Sequence, residues 1–211
     1  ERAGSLGQQH SSTRGALSSG RVWTFAGIYF AIVMSFYGVT FWLPQIVKAF
    51  SAMTDFLVGC VAAIPWIAAT VCMILNSKHS DIMRERRWHV ALSAVAGAAG
   101  LISAGVTTNP ALELAALSLA AAGIWGTLGP FWAMSSESLA GTGAAAGIAL
   151  INSVGNLGGF AGPYLIGWVR THTNSFMWGL VVLAVFLVAG ALVTLATRRP
   201  ATRIAPAVTL P

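Results

Sequence analysis

The chain has 211 residues, of which 56% are hydrophobic and only 9% are charged, and its formal net charge is +6. A soluble domain usually carries about 25% charged residues, so this chain has too few charges to cover the surface of one. The composition therefore argues against a soluble protein and indicates that most of the chain lies in a lipid bilayer.

The first segment of the chain, residues 1–20, is rich in Ser, Gly and Gln and contains no long apolar stretch. A signal peptide needs an apolar core, so this segment does not fit one. Its composition is typical of a flexible linker. Because such a linker precedes the apolar part and the chain starts at Glu1, we expect the chain to be a piece of a longer protein.

Six long runs without Asp, Glu, Lys or Arg follow this segment. A spanning helix needs roughly 20 mostly apolar residues, and each run is long enough. Only helices and closed barrels cross a bilayer, and the runs lack the alternation of barrel strands. The sequence therefore predicts an all-α integral membrane protein, with a bundle over residues 21–198, a tail over 199–211 and six spans at 23–45, 56–76, 88–106, 112–134, 144–169 and 176–197.

Basic residues are distributed unevenly between the predicted loops. All but two of the 12 Lys and Arg fall before the first span, in the loop after the second span or after the sixth span, and the two exceptions are Lys48 and Arg170. Positive loops stay on the cytoplasmic side of a membrane, so both ends of the chain are predicted to be cytoplasmic. This asymmetry explains the net charge without a nucleic-acid partner.

The first span contains Tyr29 and Tyr37. Their hydroxyl groups are candidates for binding a carboxylate substrate, although bonding to a neighbouring helix is the more frequent role of such tyrosines. No span has a charged residue near its middle, where such residues usually mark ion or proton pathways.

The second span contains both cysteines, Cys60 and Cys72, which lie about 18 Å apart along a helix and too far for a disulfide. The four histidines show no metal-ligand spacing, and no base is placed to activate a nucleophile. The sequence therefore predicts no catalytic residue, metal or cofactor. A membrane-embedded enzyme is kept only as a weak alternative.

The fourth span has a polar and aromatic face. Trp125 and Trp132 are separated by close to two helical turns, and we expect them to share this face. Pro130 removes a backbone donor and is expected to leave the carbonyl of Gly126 unbonded. A broken helix of this kind is how transporters expose polar backbone to a cavity. The alternative for Trp132 is an aromatic residue at the membrane interface.

The fifth span contains the stretch "IALINSVGNLGGFAGPY", at residues 148–164. Asn152 and Asn156 are four residues apart and share a helix face. Two glycine pairs with the same spacing would let this helix approach another closely in lipid. We therefore expect close packing on one side and amides offered to a cavity on the other. The alternative is that both asparagines only bond neighbouring helices. The glycine pairs are Gly155 with Gly159 and Gly158 with Gly162.

Four stretches carry a resemblance to a known family. They are "YGVTFWLPQIVK" (37–48), "HSDIMRERRWHVA" (79–91), "FWAMSSESLAG" (131–141) and "IALINSVGNLGGFAGPYLIGW" (148–168). Together with the six spans and the preceding linker, they resemble the C-terminal half, spans seven to twelve, of a major facilitator superfamily transporter. In particular they look like its anion:cation symporter branch, which includes bacterial carriers for tartrate, galactonate and phthalate.

The loop after the second span resembles that superfamily's loop signature, roughly G-x-x-x-D-R-x-G-R-R. Ser80-Asp81 and Arg86-Arg87 fit the signature. Three positions depart from it, because Ser77 and Arg84 replace its two glycines and Ile82 replaces an arginine. The resemblance implies that Asp81, Arg86 and Arg87 form a gating loop.

The resemblance also implies a function. It implies secondary active transport of a small organic anion, such as a sugar acid, hydroxy acid or aromatic acid, by alternating access in a bacterial inner membrane, with a proton as coupling ion. In relatives that carry sugar acids, a tryptophan and an asparagine contact the ligand, and Trp132 and Asn152 stand at the matching motif positions. We expect Asn156, Tyr29, Tyr37 and Trp125 to complete this wall.

The partner that the resemblance implies is a missing N-terminal six-helix half. It would supply the cation that holds the acid and the group that carries the proton, since the spans of this chain offer neither. A half-transporter that dimerises with itself and a truncated, non-transporting fragment are the alternatives.

Overall fold

The computed structural model describes residue 15 and residues 17–49, 54–139 and 143–197. The described residues form eight helices and no strand. The helices are α1 (Gly20–Ala49), α2 (Asp55–Met83), α3 (Arg87–Val106), α4 (Pro110–Gly126), α5 (Leu128–Ser138), α6 (Ala144–Asn156), α7 (Gly158–Thr173) and α8 (Met177–Ala196).

These helices make six membrane spans, because α4 with α5 and α6 with α7 each form one interrupted span. The prediction of an all-α protein with six spans is therefore confirmed. Most of the predicted linker and the whole predicted tail, 199–211, lie outside the described residues. The bundle has a loop end, which carries the α2–α3 turn, and a far end, which carries Lys48, Asp55 and Arg170.

The second span extends further than the sequence suggested. Residues 77–87, between the second and third predicted spans, were expected to form a loop, but α2 continues to Met83 and α3 begins at Arg87. Arg84 ends α2 with a left-handed backbone, at φ 49°, and its N–H bonds to the carbonyls of Ser80 and Asp81. Glycine adopts this conformation without strain, which gives the glycine of the family signature at this position a physical reason.

Two helices each contact several others. α3 packs against α4 and α8, whereas α1 packs against α6, α7 and α8. The α3–α4 contact is close, because a Cβ atom at Gly100 would lie only 2.7 Å from the carbonyl oxygen of Ala116. Small residues at such a crossing bring backbones together in lipid, where packing drives helix association.

Two spans are interrupted by a single residue each, near the middle of the bundle. Thr127 separates α4 from α5, and Leu157 separates α6 from α7. Each of these residues donates its N–H to the carbonyl three positions earlier, Ile124 or Val154, at 3.2 Å. Such bonds tighten the helix to a 3₁₀ turn and often mark functional sites.

The spans differ in how much of them is buried. In the most apolar stretch of α2 and of α6–α7, only 22% of the residues are buried, compared with 61% in α1. Large side chains are exposed on both faces, among them Phe56, Ile67 and Leu75 on α2 and Phe160 on α7. Lipid or a second bundle must cover these faces, because apolar patches of this size do not face water in stable proteins.

Candidate functional site

Tyr29 connects three helices of the bundle. Its ring stacks on Phe131 with centroids 5.3 Å apart and meets Trp132 edge-on at 4.8 Å. The same ring lies where a side chain at Gly155 would stand. The structure thus brings together Tyr29 of α1 and Trp132 of α5, two of the predicted wall residues, beside α6.

The glycines of the fifth span let α6 and α7 approach α1. A Cβ at Gly158 would lie 2.6 Å from the Phe30 carbonyl oxygen, and one at Gly162 would collide with the carbonyl oxygen of Met34. A Cβ at Gly159 would lie 3.0 Å from the Tyr37 ring. Both glycine pairs therefore contact α1, as the spacing predicted.

Asn152 and Asn156 of α6 are exposed. The Asn156 side-chain amide donates to the backbone carbonyl of Asn152 at 2.8 Å and to its side-chain oxygen. In these bonds the two asparagines pair with each other and not with a neighbouring helix. The pair presents amide groups on a face that the bundle leaves open, on the helix that packs against Tyr29.

Trp125 belongs to a second aromatic cluster. It stacks on Phe36 with centroids 3.9 Å apart and meets Trp66 of α2 edge-on at 4.9 Å. Tyr37 joins the cluster through Phe36, at 5.0 Å. Trp125 contacts Phe36 and Trp132 contacts Tyr29, two residues seven positions apart on α1, which agrees with the expectation that the two tryptophans share one face of the fourth span. Trp66 was missed by sequence reasoning, since it lies in an apolar run with no other signal.

The Gly126 carbonyl is not free, as the sequence had suggested, but accepts a hydrogen bond from Asn76 at 2.8 Å. The same amide of Asn76 donates to Ser93 Oγ at 3.0 Å and to the His89 carbonyl at 3.3 Å. One asparagine therefore links α2, α3 and the end of α4. Sequence reasoning missed Asn76 because it stood at the predicted end of the second span, where a polar residue is unremarkable.

Arg86 is the centre of the predicted gating loop. Its guanidinium pairs with Asp81 at 2.5 Å and with Glu137, at the end of α5, at 3.2 Å. Burial disfavours its charge, but the two carboxylates outweigh burial and raise the pKa of Arg86. Arg87 points elsewhere and donates to the Thr194 carbonyl of α8 at 3.4 Å. Arg86 therefore connects the α2–α3 turn to α5, and Arg87 connects it to α8.

Two histidines at the loop end of the bundle contact each other. Nδ1 of His79 and Nε2 of His89 are 2.7 Å apart, and His89 also lies 3.1 Å from Glu85. Burial tends to raise the pKa of Glu85, but the Trp88 N–H and His89 outweigh it and hold that pKa below its ordinary value. The described residues contain no group of His, Cys, Asp and Glu that would hold a metal.

Charged side chains lie at the ends of the spans in the described part of the chain, with Lys48, Asp55, Glu113, Glu137 and Arg170 each within two turns of a helix end. The middle of the described bundle therefore offers aromatic rings and amides. Such a wall suits the non-ionic part of a ligand, because aromatic faces and amides recognise rings and hydroxyl groups.

A fold of six spans with two interrupted helices and an aromatic and amide wall is typical of a transporter domain. Residues 3–163 match the family model of the Major Facilitator Superfamily. The chain therefore belongs to the major facilitator superfamily and is a multi-pass membrane protein. This match confirms the resemblance drawn from the motifs.

Curated relatives are similar over most of the chain. A "Putative tartrate transporter" of Agrobacterium vitis is 42% identical over 199 residues, which are 94% of this chain and 44% of that protein. A "Quinolone resistance transporter" of Acinetobacter baumannii is 34% identical over 88% of this chain and 43% of that protein. The "Inner membrane transport protein RhmT" of Escherichia coli is 37% identical over 87% of this chain and 43% of that protein. The chain thus spans less than half the length of each relative.

Proposed function

We propose that this bundle is the C-terminal half of a secondary active transporter that moves a small organic anion across a bacterial inner membrane. The substrate is a carboxylate, such as a sugar acid, a hydroxy acid or an aromatic acid. Transport is coupled to protons and proceeds by alternating access, in which two bundles rock around a site near the membrane midplane. Both ends of the chain are cytoplasmic, so the loop end faces the cytoplasm.

The observation that supports this proposal most is the contact between Tyr29 and Trp132 beside α6, which carries the exposed Asn152–Asn156 pair. Amides and aromatic edges bind hydroxyl and ring groups of a sugar or aromatic acid. The acid group needs a cation. Because charges in the described part of this chain lie at helix ends, that cation belongs to a second bundle.

The length of the relatives supports an N-terminal half as this second bundle, since more than half of each relative has no counterpart here. The exposed faces of α2 and α6–α7 are the surfaces against which this second bundle would pack. A second copy of this chain is the other candidate for the same faces. The mass of the native polypeptide in its own membrane separates the two: about twice 22 kDa supports an N-terminal half, whereas a stable band near 22 kDa supports self-dimerisation.

Uptake by the full native polypeptide in proteoliposomes tests the function. A panel of sugar acids, hydroxy acids and aromatic acids is offered with and without an inward proton gradient. We expect Trp132→Ala and Asn152→Ala to raise the KM for the accepted anion by tenfold or more, because each removes a contact worth about 1.4 kcal/mol.

Matched controls separate the site from the fold. Trp178→Ala removes an exposed tryptophan of α8, and Ser153→Ala changes the exposed neighbour of Asn152. Both should transport like the wild type. Equal kinetics in all four variants would refute the site, and no gradient-dependent uptake of any acid in the panel would refute the proposed transport.

A further inference from the structure

A cavity lies at the loop end of the bundle, apart from the aromatic and amide residues of the candidate site. It has a volume of about 390 Å³ and is bounded by α1, the last residue of α5 and the last turns of α8. Its lining residues are Arg21, Thr24, Phe25, Ser138, Val193, Ala196 and Thr197. None of these residues takes part in the proposed transport.

The cavity has one polar and one apolar side. Arg21 is exposed and gives one N–H of its guanidinium to the Ser138 carbonyl, at 3.3 Å. A guanidinium has five N–H donors in a planar fork that matches the oxygens of a phosphate. Val193 and Ala196, on the other side, are exposed apolar side chains of α8. This arrangement fits a molecule with an anionic head and an apolar tail.

The charge around the cavity favours an anion. The carbonyls of Val193 and Thr194, which would repel one, accept hydrogen bonds from the N–H of Thr197, and Thr194 also accepts from Arg87. The carboxylate of Glu137, next to Ser138, is paired with Arg86.

We propose that this cavity binds the headgroup of an anionic phospholipid, with the phosphate on Arg21 and the start of an acyl chain on Val193 and Ala196. The site lies at the membrane boundary because α1 and α8 end there. It borders α1, α5 and α8 at the loop end, so a bound lipid would add a contact beside the Arg21 hydrogen bond that joins α1 to α5 there.

Lipid retention by the purified full native polypeptide tests this proposal. The protein is taken from vesicles of equal parts phosphatidylglycerol and phosphatidylcholine, and bound lipid is counted by native mass spectrometry. We expect Arg21→Gln to lower phosphatidylglycerol retention about fivefold, the contribution of one basic residue near an anionic surface. Arg84→Gln removes the same charge from an exposed position at the same end and should change nothing.

A second variant leaves the charge intact. Ala196→Phe fills the apolar side of the cavity and should also lower phosphatidylglycerol retention, whereas phosphatidylcholine retention stays the same. An equal loss in Arg21→Gln and Arg84→Gln would mean general surface attraction and would overturn the proposal. Displacement of phosphatidylglycerol by millimolar-range inorganic phosphate alone, with Ala196→Phe unaffected, would assign the site to a free anion and would overturn it as well.

Discussion

The ring of Tyr29 occupies the space that a side chain at Gly155 would need. This one contact joins α1 to α6 and places Tyr29 against Trp132. Glycine usually destabilises a helix interior, but it is required at position 155, because any side chain there would collide with the Tyr29 ring.

Gly155→Ala should destabilise the protein by about 1–3 kcal/mol, the usual cost of forcing an extra group into a packed site. Thermal unfolding of the full polypeptide in detergent measures this change. Gly27→Ala is the matched control, because a Cβ at Gly27 meets no atom within 4 Å. It should be neutral or stabilising by up to about 1 kcal/mol. If Tyr29→Ala does not reduce the cost of Gly155→Ala in the double variant, the ring is not its cause.

Asn76→Ala should destabilise the bundle by about 1–3 kcal/mol, because the Gly126 carbonyl would lose its donor. Pro130→Ala restores a backbone N–H four residues after Gly126 and so offers this carbonyl a helical partner. The cost of Asn76→Ala should therefore be smaller in the Pro130→Ala background. A double-mutant cycle of unfolding free energies measures the coupling, and strict additivity would contradict this account.

The stability contributed by Glu85 should depend on pH. Its pKa is lowered in the folded state, so its stabilisation is fully present above the ordinary glutamate pKa of 4.5 and is lost as pH falls through the folded pKa. Thermal unfolding of wild type and Glu85→Gln across this range tests the sign. The wild type should be the more stable form above pH 4.5, and the difference should shrink in acid. A difference that stays constant with pH would show that the carboxylate charge does not matter.

Arg86→Gln should change transport more than stability. Its two carboxylate partners are 66% and 52% exposed, and such pairs contribute about 1 kcal/mol or less each. They nevertheless fasten the α2–α3 turn to α5, so their loss should alter the initial rate of uptake. Arg86→Lys should rescue this only in part, because an ammonium cannot engage both carboxylates as a fork does. Arg84→Gln, with its exposed side chain, should leave the rate unchanged.

The spans were predictable because charge is excluded from the bilayer core, and each charge-free run became one span. The glycine contacts with α1 were predictable too, since their four-residue spacing fixes a common helix face. The end of α2 was not predictable from charge, because a helix can continue into water with polar residues such as Lys78 and Asp81 on it.

The partners of Trp125 and Asn76 depended on tertiary packing. Trp125 stacks on Phe36 and meets Trp66, which lie on two other spans, so its spacing to Trp132 predicts the shared face but not these partners. Asn76 bonds to Gly126, 50 positions away, and no local pattern encodes such a pair.

The two interruptions, at Thr127 and Leu157, bracket a short piece of the chain that holds α5 and α6 and with them Trp132, Asn152 and Asn156. Each of these two spans is thus divided near its middle, and the two halves on the loop side, α5 and α6, follow each other in the chain. At the loop end, α5 makes two polar contacts, from Glu137 to Arg86 and from the Ser138 carbonyl to Arg21. Phe131, Met134 and Ile151 of these two helices pack in a buried cluster with α1, so moving them away from α1 would break this cluster as well as the two polar contacts.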